Sequence, residues 1–434
     1  MLFDSLLQKR HALIPGAAHT YSKGDDQFPD VAPKAIVRGK GAYVWGTDGN
    51  KYLDWCMGLR SVSLGHVNRE VNRAVRKQMK LGTNFGRPHI CEYEFADRLI
   101  GLLPNVEMVK FAKNGSTVTT AATKLARAFT GRKYIVSCAD HPFFSYDDWF
   151  IGTTPTDSGI PQEIKDLTKT FKYNDLASLK ALFDQYPDQI ACVIMEGITT
   201  VEPTAGFLDG VRELCTKNGS VFILDEMITG FRFDMGGVAK RYDMKPDLVT
   251  YGKGIANGYS MAVLGGRKDI MELGGLEHSR ERVFLISTTH GAETISIAAA
   301  QAAINIMERE DVPGQFWRNG KMLADGLTEI SKRHGLTGVV DVVGFAPNLS
   351  LGIKNREGVM DPVLRTFFLQ EVVKRGLLFQ GYFAISMAHG EKEILRTLGV
   401  FDEVMGVYKK ALDEGNVASL LIGKPCKPVF RKFN

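Results

Sequence analysis

SVFILDEM, residues 220–227, runs through four apolar side chains, Val221 to Leu224, and closes on two acids, Asp225 and Glu226. The run is too short for a core helix and apolar on both sides of a pleat, so it reads as a strand buried on both faces. The same form appears in IACVIMEG (190–197) and PDLVTYGKG (246–254), with the helix-like GFLDGVRELCTKNG (206–219) between the first two strands. Near-continuous apolar strands alternating with helices describe an α/β fold with an open, mostly parallel sheet flanked by helices. In such sheets ligands bind beyond the carboxyl ends of the strands, which directs attention to the residues that follow each run.

Upstream, AIVRGKGAYVWGTDGNKYLDW (35–55) alternates short β-rich runs with Gly-Lys-Gly and Asp-Gly-Asn turns, the pattern of a small antiparallel meander. Helical 3–4 spacing begins near Asn68, over Glu70–Leu81 and Glu92–Leu103. Beyond Asp311 the pattern loosens into a helix over 314–334, a strand-like stretch over 338–353, and helices over 364–375 and 391–414. Three segments are therefore expected: an N-terminal segment with the meander (1–67), a large domain (68–310) and a smaller α+β domain (311–434).

At 434 residues, with 44% hydrophobic and 24% charged side chains, the chain is long enough for more than one core. Its charge of +5 arises from 54 basic and 49 acidic residues spread without a single-sign block, which argues against a nucleic-acid or membrane partner. Lys424, Lys427, Arg431 and Lys432 read as a solvated tail. The start MLFDSLLQKRHALIPG lacks the apolar core of a secretory leader, and no stretch nears the ~20 apolar residues of a membrane span, so a cytoplasmic protein is expected. Six cysteines lie scattered without a C-x-x-C pair, several inside apolar runs, and read as reduced small hydrophobes rather than disulfides or metal ligands.

Three places carry chemistry. Asp225, an acid ending a buried strand, requires a partner: Mg²⁺, a ribose hydroxyl, a pyridinium nitrogen, or simply solvent at a helix cap. TYGKGIANGYSMAVLGG sets Lys253 among glycines directly after another apolar strand, where a flat cofactor can approach a lysine that must form an imine. A single lysine of this kind is usually an exposed loop residue; paired with DEMITGFR upstream it is not. Third, KNGSTVTTAATKLARA (113–128) is a small polar loop running into an Ala-rich helix. The backbone N–H groups and hydroxyls of Gly115, Ser116 and Thr117 suit a phosphate at that helix N-terminus, or an ordinary N-cap. His141 and Asp140 lack partners at metal-ligand spacing, so no metal is expected.

Together LDEMITGFR (224–232), PDLVTYGKGIANGY (246–259) and NGSTVTTAATKLARAFTGR (114–132) resemble the class III, fold-type I aminotransferases that depend on pyridoxal 5′-phosphate (PLP), most closely the glutamate-1-semialdehyde 2,1-aminomutase branch. The resemblance runs from IPGAAHTYSKG (14–24) to the end of the chain. It implies a large PLP-binding domain, a smaller domain built from the N- and C-terminal segments, and a homodimer with shared active sites. Asp225 matches the acid that binds the pyridinium nitrogen, and Lys253 the lysine that carries the cofactor as a Schiff base. Met227 falls where a Val usually packs on the ring face. Gly115, Ser116 and Thr117 stand in a reordered phosphate loop, and His141 in the place of a ring-stacking Tyr. Glu196 matches an acid on the phenolic-oxygen side. Thr288, with Thr289 beside it, matches the segment that reaches the neighbouring subunit's phosphate.

The substrate end departs from the aminomutases. Lys23 stands where they present an Arg to the substrate carboxylate, and Gly381 where they carry a gating Glu. A lysine cannot reproduce a bidentate guanidinium grip. The expectation is an aminotransferase with an amino-acid donor and a different aldehyde or keto acceptor, such as a sugar derivative, with His19, Lys23, Arg60 and His290 as candidate substrate contacts. The aminomutase itself is the alternative, and a PLP-holding regulator without catalysis is the alternative of another class.

Overall fold

The computed structural model describes residues 3–141 and 143–433, which fall into two compact units. One comprises Arg69–Gly314 and Phe430–Asn434; the other joins Met1–Asn68 to Gln315–Val429.

In chain order the strands are β1 (Ile36–Lys40), β2 (Tyr43–Gly46), β3 (Lys51–Asp54), β4 (Met108–Ala112), β5 (Tyr134–Cys138), β6 (Thr168–Phe171), β7 (Ile190–Met195), β8 (Val221–Glu226), β9 (Leu248–Tyr251), β10 (Ala262–Gly266), β11 (Val340–Phe345), β12 (Asn348–Ile353), β13 (Leu377–Leu378) and β14 (Tyr382–Phe383). The larger unit holds a seven-stranded sheet in the order β4-β10-β9-β8-β7-β5-β6. Pairing is parallel from β9 through β6, and β10 runs antiparallel to both β9 and β4. Every residue of β7, β8 and β9 is buried, which is what continuous apolar runs specify when helices cover both faces.

The helix Gly115–Thr130 covers part of this sheet. Val118, Ala121, Ala122, Leu125 and Ala126 form its buried stripe and share one core with Ile135, Ile194, Ile223 and Leu248. The alanines let the helix backbone sit close, while Val118 and Leu125, fully buried, contribute about 1.5–3 kcal/mol each. Asn114 starts the helix by accepting the Thr117 N–H at 3.0 Å, and Gly131, at φ 69°, ends it in the left-handed conformation that spares a Cβ.

In the other unit β1, β2 and β3 form the expected antiparallel meander, but β13 adds to β3 in parallel, so the N- and C-terminal segments share one sheet. The stretch 338–353 is a hairpin, β11 and β12, that turns at Ala346 and Pro347 and then pairs with β14. The helices around it span Pro362–Lys374 and Glu391–Glu414. All six cysteines are free and buried. The basic C-terminal stretch is not simply solvated: Cys426 is buried, Phe430 packs edge-on against Phe150, and Arg431 N–H and C=O bracket the Thr156 hydroxyl at 3.2 and 3.1 Å. No helix among the described residues is long and apolar enough to cross a membrane.

Candidate active site

Four neighbouring strands, β5, β7, β8 and β9, deliver His141, Glu196, Asp225 and Lys253 to the same edge of the sheet. They lie three residues past β5, one past β7, at the penultimate position of β8 and two past β9. Parallel pairing brings these ends together, since Met195 lies opposite Leu224 and Asp225 opposite Thr250.

Asp225 is 1% exposed. Its Oδ1 accepts the Met227 N–H at 2.8 Å and the Thr250 hydroxyl at 3.2 Å, which leaves Oδ2 for another donor. Burial pushes its carboxyl well above the usual carboxylate range, and the Lys253 ammonium pulls it back down. A carboxylate and an ammonium are thus close enough to feel each other across the ends of adjacent strands. Lys253 opens a short 3₁₀ turn, Lys253–Ala256, with φ 43°, a left-handed conformation that a non-glycine residue adopts at a cost of order 1–3 kcal/mol. Glu226, the second acid of the DE pair, serves the backbone instead. Its carboxylate accepts from Thr229, from Val238 N–H at 3.0 Å and from Ala239 N–H at 2.6 Å, securing the turn into the helix Gly237–Arg241.

Met227 links the remaining parts. A Cβ on Gly252 would overlap its Cε, and a Cβ on Gly115 would stand 2.8 Å from the same atom. The glycine before Lys253 and the glycine that opens the helix therefore flank one thioether. At that helix start, Ser116 is buried and its Oγ accepts the Tyr146 N–H at 3.0 Å, so its hydroxyl proton is still available to donate. Thr117 is committed otherwise: its N–H and its hydroxyl both donate to Asn114 Oδ1, at 3.0 and 3.1 Å. Of the three loop residues expected at a phosphate, Gly115 and Ser116 retain uncommitted donors.

His141 is 4% exposed, its Nδ1 accepts the Glu196 N–H at 3.0 Å, and burial lowers its imidazole to about 3. The rings of Phe144 and Tyr173 lie 5.4 and 5.7 Å away, at 65° and 52°, so neither stacks flat on it. Thr288, Thr289 and His290 are exposed on the turn before the helix Thr294–Arg309, where the Thr289 carbonyl accepts from Asn84 at 3.2 Å.

His19, Lys23 and Arg60 belong to the other unit. His19 and Lys23 lie in the N-terminal stretch ahead of β1, and both are exposed. Arg60 closes a left-handed turn in which Met57, Gly58, Leu59 and Arg60 have φ of 39°, 57°, 59° and 72°. Its Nε donates to Asn348 Oδ1 at 2.6 Å, and its guanidinium lies 3.9 Å over the Tyr382 ring. The Tyr382 hydroxyl donates to Gln380 Oε1 at 3.2 Å, and Arg365 donates to the Gln380 carbonyl at 2.6 Å. Arg365, Gln380 and Tyr382 carry no motif, so the sequence alone does not group them. A Cβ on Gly381 would stand 3.1 Å from the Arg365 guanidinium, so a cation borders this turn.

Among the described residues no group of three or more His, Cys, Asp or Glu side chains could hold a metal ion. What the sheet edge offers instead is a buried acid with a free oxygen, a lysine near it, a thioether packed between two glycines and a helix N-terminus.

Residues 23–382 match the model of the aminotransferase class-III family. Glutamate-1-semialdehyde 2,1-aminomutase of Nitrosomonas europaea is 32% identical over 93% of this chain and 96% of its own length. The enzyme of that name from Francisella philomiragia is 33% identical over 76% of this chain and 78% of its own. In structure, the PLP internal aldimine form of the FumI protein of Sphingopyxis sp. MTA144 superposes with a TM-score of 0.87 at 23% identity, covering 96% of this chain and 99% of that one, and so shares its fold. This chain belongs to the class III aminotransferases, enzymes that use pyridoxal 5′-phosphate.

Proposed function

We propose that the chain transfers an amino group from an amino-acid donor to an aldehyde or keto acceptor, with Lys253 and Asp225 as its catalytic pair. The observation that supports this most strongly is the buried Asp225, with Oδ2 left over, beside the Lys253 ammonium. PLP, when bound, supplies the electron sink that lets an amino group leave one carbon and join another.

The residues present fit that group. Asp225 Oδ2 accepts a ring N–H, and pairing with a cation there lowers the carboxyl that burial alone raises. Gly115 and Ser116 offer N–H groups at a helix N-terminus to a phosphate. Gly252 makes room for the Met227 thioether beside the lysine, and Glu196, by the resemblance, would stand toward the ring's phenolic side. Lys253 would hold the cofactor through Nζ, and the same amine would serve as the base and acid that moves a proton between the two exchanging carbons. Thr288 and Thr289, exposed in one chain, are left to serve the partner of a homodimer.

For the acceptor, we read a polar or anionic carbonyl compound, such as a sugar derivative. Arg60 and Arg365 share one polar cluster with Tyr382, Gln380 and Asn348, and guanidinium groups favour carboxylates, phosphates and hydroxyl-rich ligands. The second reading is the aminomutase, favoured by the names of the relatives and opposed by Lys23 and Gly381, which the resemblance sets where that branch carries Arg and Glu.

The test is spectroscopic. Purified protein given PLP should show the visible band of the lysine-bound cofactor and lose it when the correct amino donor is added. Lys253→Ala should lack that band and lose at least about 10³-fold in turnover. A variant that turns over like the wild type would end the proposal.

A further inference from the structure

His141 Nε2 is buried and has no hydrogen-bond partner among the described residues. Buried polar atoms are satisfied with few exceptions, and an exception at the ligand-binding edge of a sheet calls for an acceptor from outside the chain. The identity of the orphan atom follows from its neighbour: a backbone N–H can only donate, so Nδ1, which receives the Glu196 N–H at 3.0 Å, carries no proton. In a neutral imidazole the proton then resides on Nε2.

The tautomer is fixed by rigid parts. Glu196 directly follows β7, a strand buried at all six positions, so its N–H has little freedom to move. Tyr173, next to the imidazole, is tied to the same strand end by its hydroxyl, which donates to the Gly197 carbonyl at 2.9 Å, while its N–H donates to Asp140 at 2.7 Å. On the other side the Phe144 carbonyl accepts the Thr119 hydroxyl at 2.9 Å, which connects this wall to the first turn of the helix Gly115–Thr130. His141 therefore stands between the phosphate-binding helix start and the strand end next to Asp225, with its one free polar atom being a donor.

Resting on the reading of the preceding subsection, we propose that His141 is a fixed, uncharged hydrogen-bond donor, through Nε2–H, to an anionic oxygen of the bound ligand, and takes no part in proton transfer. The oxygen belongs either to the cofactor ring or to the substrate, and the two sources give different results. An aromatic hydrocarbon in this place would offer a flat surface alone; the imidazole adds a directed contact that discriminates ligands bearing an oxygen there from those lacking it.

Two measurements test it. With ¹⁵N-labelled histidine, the purified protein at pH 7 should give His141 an unprotonated Nδ1 and a protonated Nε2, with the Nε2–H signal moving when PLP or PLP and donor are added. An imidazolium, or a proton on Nδ1, overturns the proposal without requiring any variant to fold. Second, His141→Phe keeps a flat ring and removes the donor, while His141→Gln restores an N–H. If the acceptor is a cofactor oxygen, His141→Phe weakens PLP binding about tenfold and His141→Gln recovers most of it. If it is a substrate oxygen, PLP affinity holds and the donor concentration for half-saturation rises about tenfold with kcat nearly constant. Wild-type behaviour of His141→Phe in both assays overturns the proposal. The ring-nitrogen signals of the cofactor-free protein stand or fall independently of whether Lys253 binds PLP, so failure of this inference is distinct from failure of the function it deepens.

Discussion

Asp225 is held under opposed demands, and the conflict is measurable. Its carboxyl titrates higher in the fold than in the unfolded chain because burial disfavours the charge by more than the Lys253 ammonium favours it, so the native state takes up a proton that the unfolded state has already lost. Stability of the cofactor-free protein therefore falls as pH rises through the window between the unfolded and the folded values, and the full cost is present above it. Asp225→Asn removes the charge: its cofactor-free form should melt higher than the wild type at pH 8, with the gain shrinking toward pH 4, while the rate of amino-group transfer drops about 10²-fold or more. A variant less stable at pH 8 would contradict the account. His141 has the reverse sign. Its imidazole falls from 6.5 to about 3 on burial, so below pH 6.5 the unfolded chain binds a proton that the native state refuses. Stability is unaffected above pH 6.5 and declines toward pH 3, with a limiting slope of about 1.4 kcal/mol per pH unit from this residue. Acid unfolding of His141→Phe should lack that component; equal slopes in both proteins would show that His141 protonates in the fold.

The helix Gly115–Thr130 carries both core and site, and its first turn shows how the two compete for donors. Asn114 takes the Thr117 N–H, a side-chain cap worth ~1 kcal/mol. Asn114→Ala should lower the melting temperature by a few degrees yet leave PLP affinity unchanged or improved, because it releases a donor rather than removing one; a tenfold loss of affinity would place Asn114 itself on the phosphate. This arrangement marks the limit of what a sequence discloses about an element. VFILDE and LVTYGK are legible because an apolar run ending in a charged residue admits few structures, and adjacent parallel strands must then bring their ends together. NGST announces a helix start but not which of its N–H groups the cap occupies, since Asn, Ser and Thr are all competent caps. The pairing of β13 with β3 is equally hidden: two residues, Leu377 and Leu378, make too short a strand to show a period. Arg365 reads as one more charge on a helix, and Gly381 as one more turn glycine; only folding puts the guanidinium beside it.

At the scale of the whole molecule, the fold and the cofactor chemistry belong to the family, and the proposal made for this chain concerns where the amino group goes. An aminomutase needs no separate donor, because the amino group leaves and returns on one carbon skeleton; it must therefore grip that skeleton, by its carboxylate, through both halves of the reaction. At the positions the resemblance assigns to that grip, Lys23 would provide a single strongly hydrated charge in place of a fork, and Gly381, with Arg365 beside it, would supply no acid. A two-substrate aminotransferase has the opposite requirement: donor and acceptor must bind in turn and leave in turn, so a looser carboxylate contact costs it less. Glutamate-1-semialdehyde supplied alone should accordingly be converted slowly or not at all, whereas an amino-acid donor should convert the enzyme stoichiometrically to its pyridoxamine form, from which a polar aldehyde or ketone restores the original spectrum. Restoring the fork by Lys23→Arg should increase turnover of the semialdehyde if the missing guanidinium is what bars it. Rapid, donor-independent turnover by the wild-type protein would instead assign this chain to the aminomutases, with the carboxylate held by another cation, for which the Arg60 and Arg365 cluster is the first place to substitute.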